Sequence, residues 1–264
     1  GDIEIAKKLI DIAADAGADL VKFQTFSADR LVTQNASKAE YQILATDEIE
    51  SQHAMLRRLE LTEAMHHELI NHCANREIGF FSTGFDIESI NFLASLGQEL
   101  FKIPSGEITN RPFLQHIGGL GKKVLLSTGM SSMYEVAAAL NALELAGTPK
   151  NRITVLHCTS SYPAEMSDVN LRAMLSIQDE FGVEVGYSDH TLGIEVAIAA
   201  VALGAKVIEK HFTLDRNMTG PDHKASLEPD ELIRMVAGIR SIEKALGDGN
   251  KVITQNEIKN RDVA

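Results

Sequence analysis

Two histidines follow consecutive predicted strands, and their type and placement suit a divalent metal. His190 stands in the segment SDHT and His211 in the segment EKHFT. Neutral imidazole is the commonest protein ligand for divalent metals, and neighbouring strand ends lie close enough for two side chains to share one ion. A hydrogen-bonded structural role is the alternative for each ring. The acidic residue beside each histidine could orient its ring, which favours the metal site.

Lysines and hydroxyl groups at other strand ends predict an anion site. Lys22 and Lys102 lie within apolar strands, where a solvated surface lysine is not expected. Hydroxyl residues followed by glycine end three strands, at 82–84, 105–106 and 127–129. Hydroxyls and glycine-flanked amides commonly bind phosphate or carboxylate. One such pair often just turns the chain out of a strand, but three of them beside two lysines predict an anion-binding mouth.

A third set consists of acids and polar residues that could contact a substrate, namely Glu107, Asp222, Tyr162 and Gln24. Asp222 follows Gly-Pro, and turn formation explains that segment equally well. Cys158 lies within a strand and is interpreted as packing, because most buried cysteines are inert. The sequence has no P-loop and no glycine-rich nucleotide fingerprint.

Parallel strands must position these residues. Runs of Val, Ile, Leu and Phe that end in polar residues alternate with amphipathic helices, a pattern typical of strands buried on both faces. Because nearly every run ends in a polar residue, the ends converge on one site. This favours a TIM-type (β/α)8 barrel over a doubly wound sheet. The seven predicted strands cover residues 20–25, 79–83, 100–105, 124–128, 153–159, 185–189 and 207–211.

The composition is that of a globular protein with a large core. The chain has 264 residues, of which 44% are hydrophobic and 23% charged, a length that one barrel domain can occupy. No run reaches the roughly 18 apolar residues of a membrane span. The net charge of -12 argues against nucleic acid or an anionic membrane as partner. Two cysteines cannot build a disulfide framework, which fits a reducing cytoplasm.

Three segments depart from the regular alternation. The chain enters a helix at once, which predicts a barrel whose first strand is missing here and no signal peptide. Residues 27–60 read as an insertion on the catalytic face, either a lid, an oligomer contact or a solvated helical excursion. Residues 1–250 are predicted to form the barrel catalytic domain, and the polar residues 251–264 a linker towards an absent domain.

Motifs along essentially the whole chain match a known family in order. They are VKFQTF at 21–26, KIPSGE at 102–107, LSTGM at 126–130, LHCT with YP at 156–163, YSDHT at 187–191, IEKHFT at 208–213 and GPDH at 220–223. The chain thereby resembles the sialic acid synthases. The resemblance implies a barrel enzyme that joins phosphoenolpyruvate to an N-acetylated amino sugar such as N-acetylmannosamine. Phosphate and a nine-carbon sugar acid would be released.

The resemblance also implies roles for individual residues. His190 and His211 would bind Mn²⁺ or Mg²⁺, and Glu107 would assist proton handling. Catalytic roles are expected of Glu107, Asp222 and Lys102. The residues expected around phosphoenolpyruvate are Lys22, Lys102, Ser105, Ser127 and Ser188, with Thr83 nearby. Those expected to face the sugar are Gln24, Tyr162 and Asp222.

Features beyond this chain and other functions are part of the same expectation. The family has a carboxy-terminal antifreeze-like domain that covers the active site of its partner in a homodimer. Relatives that make legionaminic or pseudaminic acid share most of the motifs, so the sequence leaves the sugar open. Two alternatives from other classes stay open. One is a barrel aldolase or deoxy-sugar-acid synthase, of which a Schiff base at Lys102 would indicate the aldolase, and the other is a sugar-acid sensor without turnover.

Overall fold

The computed structural model describes residues 1–34, 36, 51–261 and 263, and within them the chain is an α/β protein. In these described ranges seven strands alternate with helices, as the sequence predicts. The strands are β1 (Leu20–Thr25), β2 (Gly79–Gly84), β3 (Leu100–Ile103), β4 (Lys123–Ser127), β5 (Ile153–Cys158), β6 (Glu184–Asp189) and β7 (Ile208–Lys210). The helices are α1 (Ile3–Asp15), α2 (Ala28–Leu31), α3 (Gln52–Leu59), α4 (Glu63–Asn75), α5 (Ile87–Ser95), α6 (Arg111–Gly119), α7 (Met133–Ala146), α8 (Arg172–Phe181), α9 (Glu195–Ala202), α10 (Pro229–Leu246) and α11 (Gln255–Arg261).

Consecutive strands are neighbours, which gives the order of a TIM-type barrel. β1 pairs in parallel with β2, and β3 to β7 form a five-stranded parallel sheet in chain order. The side chain of Gln98, just before β3, joins the two ladders. Its amide oxygen accepts from the Ser82 backbone N–H at 2.8 Å, and its amide nitrogen donates to the Ser82 carbonyl at 2.9 Å. The side chain thus satisfies backbone groups that a neighbouring strand would otherwise pair.

Alternation along the strands divides the core into two layers. Alternate strand residues such as Phe101, Leu126 and Val155 pack with the surrounding helices in the main hydrophobic cluster. The residues between them face the barrel axis, where Leu125 and Leu156 belong to a small separate apolar cluster. Polar inward residues follow towards the carboxyl ends of the strands.

The helix starts carry capping side chains. Asp2, Thr62, Asp86 and Ser132 each accept a hydrogen bond from a backbone N–H in the first turn of the helix that follows. Such caps satisfy amide groups that have no partner inside the helix. They fix where α1, α4, α5 and α7 begin and hence how each connection leaves its strand.

The barrel is open between β1 and β7. Among the described residues these two strands are not paired with each other, and a cavity of about 530 Å³ lies between them. Both strands line the cavity, as do α1 and α10. The sequence predicts an eighth strand for the barrel, and at this opening such a strand would pair with both edges. That expectation stays a prediction.

Some predicted boundaries are wrong by one or two residues. β3 ends at Ile103 and not at Ser105, because Pro104 has no N–H to donate and 105–107 form a 3₁₀ turn. β7 ends at Lys210, so His211 follows the strand directly.

Residues 27–60 contain α2 and α3, while 35 and 37–50 lie outside the described residues. Their predicted role as a lid or an oligomer contact therefore stays a prediction. None of the described helices has the length and apolar character that crossing a bilayer requires.

Candidate active site

Two lysines and one glutamate meet inside the barrel. Lys22 Nζ lies 2.9 Å from Glu209 Oε1, and Lys102 Nζ lies 3.2 Å from the same oxygen. Lys22 is on β1, Lys102 on β3 and Glu209 on β7, so three separated strands contribute one charge each. The side chain of Lys102 is 4% exposed and that of Lys22 is 24% exposed. Two ammonium groups and one carboxylate leave a net positive charge at this place.

Burial and charge act against each other in this cluster. Burial lowers the pKa of Lys102, and the Glu209 carboxylate raises it in part. Burial alone would raise the pKa of Glu209, but the Lys102 and Lys22 ammonium groups hold it well below its usual range. Glu209 is therefore ionised at neutral pH. Ser188 on β6 donates a hydrogen bond from Oγ to Glu209 Oε1 at 3.0 Å.

A cradle of hydroxyls, one thiol and one glycine lies at the ends of β3, β4 and β5. The Gly129 backbone N–H donates to Ser105 Oγ at 2.9 Å, and Ser105 Oγ lies 3.3 Å from Cys158 Sγ. A Cβ at position 129 would lie only 2.1 Å from Ser160 Oγ. Glycine is thus required for this close approach.

Buried hydroxyls in the barrel have unused hydrogen-bonding capacity. Ser127 and Thr83 are each 2% exposed, and neither side-chain hydroxyl has a hydrogen-bond partner in the part of the chain that the structure describes. A buried polar group without a partner costs free energy, so such groups are commonly satisfied by water or a ligand. Both residues belong to the hydroxyl–glycine motifs that predict anion binding.

The two histidines form a pair at the ends of β6 and β7. Their ring centroids are 5.5 Å apart. His190 Nδ1 lies 2.7 Å from the Thr159 carbonyl oxygen. Because a carbonyl only accepts, Nδ1 carries the proton and Nε2 keeps a free lone pair. Burial lowers the pKa of His190, and burial together with Lys22 lowers the pKa of His211 to about 3. Both rings are neutral near pH 7.

This donor set fits a divalent metal. A divalent ion binds the free lone pair of a neutral imidazole, and two neutral imidazoles stand here at neighbouring strand ends. A backbone carbonyl fixes the tautomer of one of them, His190. Within the described ranges no cluster of three or more His, Cys, Asp or Glu side chains surrounds a common point. An ion held by His190 and His211 would therefore keep open positions for oxygen ligands from water or substrate. Metal binding stays a prediction.

The predicted sugar-facing residues lie at the edge of the same mouth. The Tyr162 ring centroid is 4.3 Å from that of His190 and 5.8 Å from that of His211. Asp222 Oδ2 lies 3.8 Å from His211 Nδ1, and burial raises the pKa of Asp222. Gln24 and Asp222 line the cavity between β1 and β7 together with Lys22.

Glu107 lies outside the charged cluster. It belongs to the 3₁₀ turn after β3, and its Oε2 accepts a hydrogen bond from Asn110 Nδ2 at 2.6 Å. The structure therefore places this residue on the rim beyond Ser105, whereas Lys102, two positions before Pro104, lies inside. Its role in proton handling stays a prediction.

The structure corrects the role suggested for the acids beside the histidines. Successive strand residues point to opposite faces, so Asp189 faces outward and pairs with Lys210, while Glu209 faces the lysines. The ring of His190 is oriented by the Thr159 carbonyl and not by Asp189. Sequence reasoning missed Glu209 as part of the charged cluster. Its signal was an acid two residues before His211 and therefore on the same face.

Comparisons with known proteins show what the chain is similar to. A family model described as the NeuB family matches residues 9–251. The chain is 55% identical over 263 residues to the N,N'-diacetyllegionaminic acid synthase of Campylobacter jejuni, and the match covers 100% of this chain and 79% of that protein. It is 48% identical over 260 residues to the protein of the same name from Legionella pneumophila, covering 98% and 73%.

A solved structure shares the fold over the whole chain. The N-acetylneuraminic acid (sialic acid) synthetase of Leptospira borgpetersenii serovar Hardjo-bovis matches with a TM-score of 0.87 at 33% sequence identity. The match covers 100% of this chain and 86% of that chain.

Proposed function

Because the chain belongs to the NeuB family, the sialic acid synthase family, we propose that it condenses phosphoenolpyruvate with an N-acetylated amino sugar and releases phosphate. One observation carries the proposal. Lys22 and Lys102 with their buried carboxylate lie in the same barrel mouth as the neutral pair His190 and His211. Such a mouth offers positive charge for a phosphorylated acid and neutral donors for a metal beside it.

The relatives favour a particular sugar. The 55% and 48% identical relatives are both named N,N'-diacetyllegionaminic acid synthase, whereas the solved sialic acid synthetase is 33% identical. A product with two N-acetyl groups, built from phosphoenolpyruvate and a six-carbon sugar, requires a sugar that carries both groups. The proposed substrate is therefore a diacetamido hexose, and the legionaminic alternative replaces N-acetylmannosamine as the favoured reading.

The lysines and hydroxyls would bind and align phosphoenolpyruvate. Its phosphate and carboxylate carry several negative charges, so they can take the place of Glu209 as partners of Lys22 and Lys102. The free hydroxyls of Ser127 and Thr83 and the Ser105 cradle offer further hydrogen bonds. Holding the enol in one orientation beside the sugar converts an encounter of two substrates into an aligned reaction.

The other side of the mouth would bind the open-chain sugar. A divalent ion on His190 and His211 would supply Lewis-acid polarisation of the sugar aldehyde. Tyr162, Asp222 and Gln24 would contact the hydroxyl and acetamido groups. Because burial raises the pKa of Asp222, this carboxyl can hold a proton at a higher pH than an exposed aspartate.

Bond formation and phosphate release follow from that alignment. C3 of phosphoenolpyruvate attacks the aldehyde carbon, and the aldehyde oxygen takes up a proton. Water adds at C2, and phosphate leaves by cleavage of its C–O bond. Glu107, on the rim, would accept the proton that the attacking water gives up. Two further proposals are that the enzyme forms a homodimer, based on the family resemblance, and that it acts in the cytoplasm, based on its two cysteines.

Phosphate release tests the proposal. The full-length enzyme is incubated with phosphoenolpyruvate, Mn²⁺ and one sugar at a time: a diacetamido hexose, N-acetylmannosamine, or glucose as a control. We expect the highest kcat/KM with the diacetamido sugar and none with glucose. Equal or higher kcat/KM with N-acetylmannosamine would contradict the substrate assignment. Release of phosphate with no sugar dependence would contradict the condensation itself.

A further inference from the structure

A buried ion pair joins the two strands that carry the histidines. Lys210 Nζ lies 2.7 Å from Asp189 Oδ2, and the two side chains are 2% and 0% exposed. Asp189 and Lys210 are the last paired residues of the ladder between β6 and β7. His190 directly follows Asp189 and His211 directly follows Lys210, so the ion pair lies one residue before each histidine.

The ion pair also fixes the backbone around His190. Lys210 Nζ donates to the Thr191 carbonyl at 2.6 Å. Asp189 Oδ1 accepts from the Thr191 backbone N–H at 2.9 Å and from Thr191 Oγ1 at 2.7 Å. The lysine of β7 and the aspartate of β6 therefore hold both sides of His190 in place.

The backbone carbonyls of the two histidines bond to loops and not to the neighbouring strand. The His190 carbonyl accepts from Ala164 N–H and the His211 carbonyl from Leu227 N–H, each at 2.9 Å. Each contact ties one histidine to the loop on its own side. The side-chain bond between Asp189 and Lys210, by contrast, joins β6 to β7 one residue before the two histidines. β7 has only three residues and borders the opening towards β1, so this cross-link is well placed to fix it.

The energetics of buried ion pairs favour a positioning role. The free energy of removing two charges from water offsets much of the free energy of their attraction. Proteins in which both partners of a buried ion pair are replaced by apolar residues are therefore often no less stable. Stability alone therefore does not explain the pair. The position of the ion pair explains it better. The pair lies on the outer face, between two inward-facing pairs, Ser188–Glu209 and His190–His211.

We propose that Asp189 and Lys210 are positioning residues, whose cross-strand ion pair sets the spacing of His190 and His211 for one divalent ion. The inference rests on the proposed metal site. Neither residue touches the ion. Without the pair, the carboxyl end of β7 shifts relative to β6, and the two rings bind an ion one at a time and weakly.

Mn²⁺ titration of the full-length protein tests the inference, with the dissociation constant and the melting temperature as readouts. The double variant D189N/K210M keeps both side-chain shapes and the acceptor for Thr191 while it removes the cross-strand pair. The control, E99Q/K122M, removes the ion pair before β3 and β4 at the opposite end of the barrel. K210M alone leaves the buried carboxylate without its partner.

We expect K210M to lower the melting temperature and the double variant to recover most of it, because no buried charge is left alone. The Mn²⁺ dissociation constant of the double variant should stay raised at least about tenfold, as for other residues that orient metal ligands. The control should bind like the wild type. A role in stability only would make melting temperature and affinity recover together, which would overturn the inference.

Three further results of the experiment can be told apart. If the double variant does not fold, D189N alone carries the test, since it removes the charge from the cross-strand pair and keeps the hydrogen bonds from Thr191, and unchanged affinity would overturn the inference. A wild-type protein that binds no Mn²⁺ would overturn the metal site and this inference with it. Wild-type and double-variant proteins with equal affinity would overturn the inference alone.

Discussion

Replacing Lys102 with methionine should weaken the binding of phosphoenolpyruvate without unfolding the protein. The variant keeps the length of the side chain and removes an ammonium group that is 4% exposed. A charge-assisted hydrogen bond to an anion in such a desolvated site contributes about 2–3 kcal/mol. At about 1.4 kcal/mol for each factor of ten, the KM for phosphoenolpyruvate should rise about 30- to 150-fold. Lys22→Met should give a smaller rise, because Lys22 is 24% exposed.

The folding stability should respond differently. After Lys102→Met, Glu209 still has Lys22 at 2.9 Å, so no buried charge is left alone. Methionine also avoids the burial cost of an ammonium, so the melting temperature should not fall by more than about 3 °C. Glu209→Gln, by contrast, leaves two ammonium groups without their carboxylate and should destabilise the fold by about 3 kcal/mol.

Initial rates of phosphate release against phosphoenolpyruvate concentration give the KM, and thermal unfolding gives the melting temperature. Lys123→Met is the matched control, because this exposed lysine begins β4 at the other end of the barrel and its loss changes the net charge equally. A wild-type KM in the folded Lys102→Met variant would refute the assignment of the lysines to the anion. An equal rise in the control would show that the effect is one of net charge.

Three further predictions concern the glycine cradle, a buried histidine and the metal ligands. Gly129→Ala should lower kcat/KM about 100-fold because its Cβ would meet Ser160 Oγ at 2.1 Å. Gly119→Ala, at the end of α6, meets nothing within 4 Å and should leave kcat/KM unchanged; equal kinetics in both variants would contradict the cradle. Burial lowers the pKa of His66, so the folded protein disfavours the proton that the unfolded chain takes up, and stability should fall as pH drops below about 6.5. Urea unfolding of His66→Gln should show a smaller fall, and an unchanged pH dependence would sink the explanation. His190→Ala and His211→Ala should each abolish Mn²⁺ binding in titrations without lowering the melting temperature, and wild-type affinity in either would exclude a shared site.

The sequence predicts the strands and most of the site because both depend on local pattern. Runs of buried aliphatic residues mark β4 and β5 to within a residue, and Lys22 and Lys102 stand out because such runs exclude solvated lysines. The side of the barrel on which each residue lies follows from alternation, once one inward residue per strand is known.

Other features depend on contacts between distant segments. Glu209 and Asp189 both precede a histidine in similar segments, yet one meets two lysines and the other meets Lys210. Alternation places them on opposite faces, since Asp189 lies one residue and Glu209 two residues before its histidine, but the lysines that each meets come from other strands. The bridge from Gln98 to Ser82 likewise leaves no signal, because a glutamine before a strand is unremarkable in sequence. The choice of sugar came from relatives and not from any residue pattern.

The central claim is that this enzyme joins phosphoenolpyruvate to a diacetamido hexose with cleavage of the C–O bond. Its most direct test is mass spectrometry of the products made from phosphoenolpyruvate that carries ¹⁸O at the oxygen bridging C2 and phosphorus. We predict that the label appears in the released phosphate and that a nine-carbon acid forms with unlabelled C2 oxygen. Label retained in the sugar acid would contradict the proposed bond cleavage, and the absence of a nine-carbon product would contradict the account as a whole.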